Sequence, residues 1–312
     1  MRSDDDVHRV LVHLFQCRDL PAADDNGVSD PYLKIQNFGG KDDFKTQVIE
    51  DSINPIYYES IDMYYQFNEL HLAPPLVIDI YDYDTFSSDD FIGRALCYLD
   101  EFEEFDDPEK PGKPRWIKVT PGIEKDQPLG EILVSVQVLD PELEYDLQKL
   151  NMIMRPETAK IDVEINILGL RGLQSTGILP VKKPFVKFNL NSLVPPSEGG
   201  ALQNIVTQPS QAGKNANINS VIKFKVKLPI DPLYCPKIAC AVYDYIFKGL
   251  SQPLLGTFNI PIGDMMQEQQ RGLAERLQKM DHTIGKIQKK VDELRNKPQV
   301  RYAPEEEEDS EY

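Results

Sequence analysis

The sequence contains an internal repeat, and this repeat constrains the fold more than any other feature. Three blocks of the N-terminal half recur in the same order in the C-terminal half, roughly 155–160 residues further on. The block "CRDLPAADDNGVSDPYLKI" matches "LRGLQSTGILPVKKPFVKF", "INPIYYESIDM" matches "KNANINSVIKF", and "IYDYDTFSSDDFIGRA" matches "VYDYIFKGLSQPLLGTF". We therefore expect two copies of one domain, for which a chain of 312 residues is long enough.

Each copy has the pattern of an antiparallel β-sandwich. The segments "GEILVSVQVL", "KIDVEINILGL" and "VIKFKVKLP" alternate apolar and polar residues. Short alternating runs bounded by Pro, Gly, Asn and Asp are typical of strands with one buried face. We predict an all-β chain of two antiparallel eight-stranded sandwiches. Its longest apolar runs are of strand length, well short of the roughly 18–20 residues that span a bilayer.

After residue 263 the apolar residues recur with a period of seven in place of two. The apolar residues Leu273, Leu277, Met280, Ile284, Ile287, Val291 and Leu294 alternate spacings of four and three. This predicts an amphipathic or coiled-coil helix over 264–297, which either docks on its own domain or binds a protein partner. The other predicted boundaries are a first domain at 1–139, a partly helical linker at 140–158, a second domain at 159–263 and an acidic tail at 298–312.

Charge separates the two halves. Residues 1–140 carry 12 Lys and Arg against 30 Asp and Glu, a net charge of −18, whereas residues 160–297 carry 19 against 11, a net charge of +8. An acidic half is repelled by anionic lipid or nucleic acid unless a cation intervenes, and the basic half could meet an anionic surface directly. We predict no nucleic-acid partner. The four cysteines have no metal or disulfide spacing, and "MRSDDDVHRV" lacks an apolar signal core, so we expect a cytoplasmic protein with reduced thiols.

Two acidic clusters predict a metal site in the first domain. Asp24 and Asp30 stand in "DDNGVSDPYLKI", and Asp82, Asp84 and Asp90 stand in "YDYDTFSSDDFIG". Calcium takes six to eight oxygen ligands and favours carboxylates, so two such loops that meet would bind it. Without a cation, each pair of these charges at about 4 Å would cost on the order of 4 kcal/mol at a dielectric constant of 20. The alternative is that all five are solvated turn residues, but two clusters at these spacings favour the metal.

These motifs also resemble a known family. "DDNGVSDPYLKI", "NPIYYE" and "YDYDTFSSDDFIG" are similar to the signature of C2 domains, over residues 8–139. In calcium-binding members, aspartates at these five positions ligate two or three ions. The resemblance implies a C2 fold, Ca²⁺ as the cofactor and an anionic phospholipid membrane as the partner. Phe86 matches the loop-tip position that enters the bilayer in such domains, although a scattered exposed aromatic residue is common.

The strand order favours one of the two circular permutants of C2 domains. Nearly twenty residues separate "VQVL" from "KIDVEI", so "GEILVSVQVL" closes the first domain, as in the permutant of phospholipases and ferlins. No similar strand follows "LLGTFNIPIGDM". It is either "QVRYA", after the helix, or it lies beyond residue 312. The segments "ILPVKKPFVKFNLNSL" and "VYDYIFKGLSQPLLGTFNIPIG" are similar to ferlins, which are multi-C2 proteins of membrane fusion and repair.

The second copy has lost the acidic site. The repeat places Gly177, Lys183, Ile246 and Pro253 at or beside the positions of Asp24, Asp30, Asp84 and Asp90, and keeps only Asp244, opposite Asp82. We expect no calcium there. Lys183 either pairs with Asp244 or points into water. Lys223, Lys225 and Lys227 line one strand face and are candidate contacts to anionic headgroups, although such a face is more often simply solvated.

Two functions remain open at this point. The first is a calcium-dependent phospholipid-binding tandem C2 module in membrane traffic, fusion or repair, peripheral on the cytosolic face of membranes. The second is a scaffold that binds proteins in a cytoskeletal or ciliary assembly. The sequence contains no nucleophile elbow and no phosphate-binding loop, so we do not predict an enzyme.

Overall fold

The computed structural model describes residues 7–22, 27–36, 43–102, 107–110, 112–122, 129–195 and 202–295. The chain divides into two compact units, Met1–Asp264 and Met265–Tyr312. The first unit contains two β-sandwiches, as predicted, and the second contains most of a long helix. None of the helices in these ranges combines the length and the apolar character that crossing a membrane requires.

The first sandwich has the eight strands that we predicted. They are β1 (Val7–Arg18), β2 (Pro31–Ile35), β3 (Phe44–Lys45), β4 (Ile56–Gln66), β5 (Leu76–Asp82), β6 (Asp90–Cys97), β7 (Arg115–Lys118) and β8 (Glu131–Leu139). One sheet has the order β4-β1-β8-β7 and the other β3-β2-β5-β6. Because β8 pairs with β1, the last strand of this sandwich closes it beside the first, and the predicted permutant is confirmed.

The core of this sandwich lies between its two sheets. Val12 and Val136 from one sheet and Leu33 and Ile80 from the other are no more than 1% exposed. The segment after β8 also packs here, because α1 (Leu147–Ile153) places Leu150 against Leu11 and Leu139. The Asp146 carboxylate caps α1 by accepting hydrogen bonds from the backbone amides of Gln148 and Lys149. The predicted linker is therefore partly helical, and much of it packs on the first sandwich.

The second sandwich has fewer strands than the first. The described part contains β9 (Thr158–Gly169), β10 (Pro184–Asn189), β11 (Ile205–Val206), β12 (Asn217–Pro229), β13 (Lys237–Asp244) and β14 (Leu254–Pro261). They form the sheets β11-β10-β13-β14 and β12-β9. Six described strands are two short of the predicted eight. The reason is that the chain enters a helix directly after β14, where the first sandwich crosses back to form β7 and β8; "QVRYA" lies outside the described residues.

Matched registers confirm the internal repeat. Pro31 pairs with Asp82 in the first sandwich, and Pro184 pairs with Asp244 in the second. One residue further on, Tyr32 stacks on Tyr81 with ring centroids 5.7 Å apart, and Phe185 stacks on Tyr243 at 5.5 Å. The same alternation of apolar residues has thus produced the same strand pairing twice.

The two sandwiches also contact each other within the first unit. The Lys237 ammonium lies 2.5 Å from the Asp19 carboxylate, and the Asn259 amide donates to Asp19 and accepts from Asn54. Ala239 of β13 belongs to the buried cluster that forms the core of the first sandwich. This interface is thus partly charged and partly apolar.

The predicted helix is confirmed as α2 (Ile262–Arg295), one uninterrupted helix of 34 residues. Its seam is exposed: Leu273, Leu277, Met280, Ile284 and Ile287 are each between 52% and 59% accessible. Gly272 and Gly285, which lower helix propensity, have open space at their missing Cβ positions. The acidic tail at 298–312 lies outside the described residues.

Candidate functional site

The strand register brings three of the predicted ligands to one end of the first sandwich. Asp82 ends β5 and pairs with Pro31 on one side and with Asp90 on the other. Asp30 directly precedes Pro31, so it occupies the same end of the sheet. Asp82 is 4% exposed, whereas Asp90 is exposed and Asp30 partly exposed. The sequence prediction that two loops supply carboxylates to one place is consistent with this arrangement.

Backbone amides hold several of these carboxylates in place. The Asp30 amide donates to Oδ1 of Asp82 at 2.6 Å, and the Asp51 amide donates to Oδ1 of Asp30 at 2.7 Å. The Asp84 amide donates to the Asp89 carboxylate at 3.2 Å. These hydrogen bonds offset part of the repulsion between carboxylates, since each amide dipole points its positive end at a negative group.

Asp89 is an ordered member of this cluster that the sequence analysis missed. Its carboxylate accepts a hydrogen bond from the Tyr32 hydroxyl at 2.8 Å. That bond and the Asp84 amide lower the pKa of Asp89, so its charge persists at lower pH. Burial and the same hydrogen bond raise the pKa of Tyr32. In the sequence, Asp89 is distinguished only by its position beside Asp90. The sequence alone could not reveal its hydrogen-bond partner Tyr32, which lies 57 residues away.

The described residues do not form a preformed metal cage. Within the ranges that the structure describes, no three His, Cys, Asp or Glu side chains lie close enough to hold one metal ion. Asp24, the fifth predicted ligand, lies outside those ranges. The donor chemistry still fits a hard cation, because Asp30, Asp82 and Asp90 present carboxylate oxygens at one end of the sheet. Calcium binding by Asp24, Asp30, Asp82, Asp84 and Asp90 therefore stays a prediction.

In the second sandwich, backbone amides surround the retained carboxylate of Asp244, the equivalent of Asp82 in the first. Asp244, 4% exposed, accepts hydrogen bonds from the backbone amide of Lys182 at 3.0 Å and from that of Lys183 at 2.6 Å. No ion pair within 4.0 Å joins the described side chains of Lys183 and Asp244. The ion-pair alternative was thus wrong, because the backbone amides of the two lysines, and not the Lys183 ammonium, bind the buried carboxylate.

Loop tips at the same ends of both sandwiches expose apolar side chains. Phe86, between β5 and β6, is fully exposed at 102%. In the second sandwich Ile178, Phe247 and Leu250 are 103%, 62% and 90% exposed. The sequence analysis missed these three residues. A comparison of "STGILPVKK" and "YIFKGLS" with the acidic loops of the first copy could have found them, since both segments combine apolar residues with lysine.

The lysine face of β12 is less cationic than its sequence suggested. Lys223 lies opposite Glu164 on β9, with the charged atoms 2.7 Å apart, and Lys225 lies opposite Asp162 at 3.1 Å. Lys227 instead lies opposite Lys160. The predicted membrane contact by Lys223, Lys225 and Lys227 thus competes with a cross-strand ion-pair ladder, which the alternating acids of β9 could have revealed.

Comparisons with known proteins agree with this geometry. Residues 8–119 match the family model of the C2 domain. The chain contains a C2 domain. Human Synaptotagmin-3 is 29% identical over 220 residues, which are 70% of this chain and 32% of that protein. Mouse Synaptotagmin-3 is 30% identical over 219 residues with the same coverage. The chain therefore spans about a third of the length of these relatives.

A C2 tandem also occurs among similar solved structures. The structure of the two consecutive C2 domains of Extended-Synaptotagmin 2 aligns over 83% of this chain and 80% of that one, at 16% identity and a TM-score of 0.34. The family model and the strand order of the sheets confirm the all-β C2 fold that we predicted. The two curated relatives are synaptotagmins, and the solved structure is that of an extended synaptotagmin. None of these is a ferlin, so the ferlin resemblance stays a prediction.

Proposed function

We propose that the chain is a calcium-dependent phospholipid-binding tandem C2 module of membrane traffic, with the boundaries 1–139 and 159–263 for its two domains. The observation that carries this proposal is the strand register that places Asp30, Asp82 and Asp90 at one end of the first sandwich. The fully exposed Phe86 lies in the loop between two of them. Bound calcium would supply the positive charge that an acidic surface lacks when it approaches lipid phosphate.

In this proposal the residues of the first sandwich have separate roles. Asp24, Asp30, Asp82, Asp84 and Asp90 would hold the cation. Phe86 would enter the lipid interface, where burying a side chain of this size contributes about 1.5–3 kcal/mol. The position of Asp82 is fixed by the Asp30 amide, so it serves the fold as well as the ion.

The second sandwich would add a contact that does not need calcium. Its exposed tips Ile178, Phe247 and Leu250 have Lys182 and Lys248 as exposed neighbours in the same two loops. The one retained carboxylate of the site, on Asp244, is buried and held by amides. Apolar tips with flanking cations match an anionic lipid surface.

Liposome co-sedimentation tests the proposal. Wild-type chain should pellet with phosphatidylserine vesicles more strongly in calcium than in chelator. Asp82→Asn with Asp84→Asn should remove the calcium-dependent part. Asp100→Asn is the matched control, because it removes a charge from an exposed residue that follows β6, at the opposite end of that strand from Asp90. Binding that ignores calcium, and survives the double substitution, would defeat the calcium role.

The second candidate is a scaffold that binds proteins in a cytoskeletal or ciliary assembly. The observation that favours it is the seam of α2, with five apolar side chains more than half exposed. A protein partner that covers this seam should protect Leu277 and Ile284 from solvent. Replacing both by Lys should release that partner in cross-linking experiments while leaving vesicle binding unchanged, and loss of vesicle binding instead would count against a separate role for the helix.

A further inference from the structure

The strand pair β9–β12 repeats the pair β1–β4 in register. Val12 pairs with Ile61 in the first sandwich, and Ile165 pairs with Ile222 in the second. Tyr58 and Asn219, at equivalent places near the start of β4 and β12, both have positive φ, of 50° and 47°. The environment of β1 therefore shows what surrounds a strand in the position of β9.

The second edge of β9 has no described partner. In the first sandwich β8 pairs with the equivalent edge of β1, so that Val10 faces Val138 and Val12 faces Val136. The sheet of β9 contains only β12 within the described ranges. We call this side of β9 the open edge. An unpaired edge presents a row of backbone donors and acceptors to any extended chain.

Burial reflects the missing strand. Val10 and Val12 are 0% exposed and Leu14 is 1% exposed. Their counterparts by the matched register, Val163, Ile165 and Ile167, are only partly buried. A strand added at the open edge would cover them as β8 covers β1, and burying apolar surface favours such an addition.

The amides that face the open edge can be assigned. The Ile230 amide donates to the Glu157 carbonyl at 2.8 Å, so Glu157 belongs to a hydrogen-bonded pair with the end of β12. In an antiparallel ladder such pairs recur at every second residue. The amides of Lys160, Asp162, Glu164 and Asn166 therefore point to the open edge.

The outer face of β9 indicates which strand would fit. Asp162 and Glu164 form ion pairs with Lys225 and Lys223, which lie opposite them on β12. The β12 sequence between Ser220 and Leu228, "SVIKFKVKL", alternates apolar residues that face inward with lysines on the outer face, of which Lys223 and Lys225 face the acids. A strand at the open edge meets the same two acids and the same apolar row.

We propose that the open edge of β9 binds an extended segment of a partner protein in which apolar residues alternate with lysine or arginine. The segment pairs antiparallel to β9, as β8 pairs with β1. Its apolar residues cover Val163, Ile165 and Ile167, and its basic residues lie beside Asp162 and Glu164. This site is separate from the loops that the proposed membrane function uses.

A fluorescein-labelled peptide SVIKFKVKL tests the proposal by anisotropy titration with the full chain. It should bind saturably. The charge-reversed peptide SVIEFEVEL, of equal apolar content, should bind at least about tenfold more weakly, because cross-strand opposite charges attract and like charges repel. Equal binding of the two peptides would overturn the proposal, and this comparison uses only wild-type protein.

Two substitutions at one residue locate the contact. Asn166→Pro removes an amide of the open edge and should abolish peptide binding. Asn166→Ala keeps that amide, removes the side chain that donates to Glu164, and should bind like wild type. Far-UV circular dichroism verifies that both variants fold. Peptide binding that survives Asn166→Pro in folded protein would refute the site.

Other occupants of the edge give distinct results. A dimer in size-exclusion chromatography with light scattering that Asn166→Pro dissociates would assign the edge to a second copy of this chain, against the proposal. Peptide binding that is detected only after truncation at Arg295 would assign the edge to residues 296–312, also against it.

Discussion

Replacing Asp244 by Asn separates the structural role of this position from metal binding. The carboxylate is 4% exposed and accepts the amides of Lys182 and Lys183 through both oxygens. Asparagine retains one oxygen, which keeps the Lys183 amide at 2.6 Å and the longer bond from the Lys182 amide at 3.2 Å, but it turns an NH₂ group toward the Lys182 amide where Oδ2 accepted at 3.0 Å. Losing the shorter Lys182 bond together with the charge of the buried acceptor should cost about 1.5–3 kcal/mol of unfolding free energy.

Urea unfolding read by two probes measures this cost. The single tryptophan, Trp116, lies in β7 of the first sandwich, under the guanidinium of Arg18 at 3.9 Å. Far-UV circular dichroism reports on both sandwiches, so Asp244→Asn should shift that signal more than the tryptophan fluorescence. Asp82→Asn is the matched variant in the first copy, where the carboxylate accepts the Asp30 amide.

Calcium titration completes the comparison between the two variants. Asp82→Asn should weaken calcium binding, and Asp244→Asn should leave it unchanged. An unfolding free energy for Asp244→Asn within about 0.5 kcal/mol of wild type would show that the amides do not depend on the charge. A loss of calcium binding in Asp244→Asn would refute the assignment of the ion to the first sandwich.

Three further predictions follow from single side chains. Phe86→Ser should weaken calcium-dependent vesicle binding by roughly 10- to 100-fold without changing calcium affinity, measured by vesicle titration and calorimetry. Burial lowers the pKa of His13 to about 4. The free energy of unfolding should therefore be fully present above about pH 6.5 and fall by up to about 3 kcal/mol as the pH drops to 4. In urea unfolding at several pH values, His13→Gln should flatten this pH profile. Arg94→Ala should cost about 3 kcal/mol, because it leaves the Asp79 carboxylate, 3% exposed, without its bidentate guanidinium partner; a cost below about 1 kcal/mol in the same assay would contradict this.

Alternation and repetition in the sequence were enough to predict the sandwiches. Period-two patterns define which face of a strand is buried, and two matching sets of strands define two copies of the fold. The helix was predictable for the same reason, since a change of period from two to seven is visible in the sequence alone. The approach of Asp30 and Asp90 to Asp82 followed from the strand order that this fold requires.

Partners across strands were harder to predict. The lysines of β12 were visible as one row, but their pairing with Glu164 and Asp162 depends on the β9–β12 register, which periodicity leaves open. The position of Lys183 was predicted correctly. Its role was not, because a side-chain pattern does not indicate whether the amide or the ammonium will contact a buried carboxylate.

The retained aspartate shows why the two copies differ. Asp82 and Asp244 each accept a hydrogen bond from the backbone amide of the residue directly before the neighbouring strand, Asp30 before β2 and Lys183 before β10. Loss of either carboxylate leaves a partly buried amide without this acceptor. Asp84 instead has Ile246 as its counterpart, and an isoleucine there satisfies no amide and holds no cation. A carboxylate that accepts hydrogen bonds from the backbone is costly to replace in either copy. A carboxylate that would only ligate a cation repels its acidic neighbours when no cation binds. The second copy therefore keeps the aspartate that its backbone needs and has Gly177, Ile246 and Pro253 at or beside the positions of Asp24, Asp84 and Asp90. This is the pattern expected if only the first copy responds to calcium.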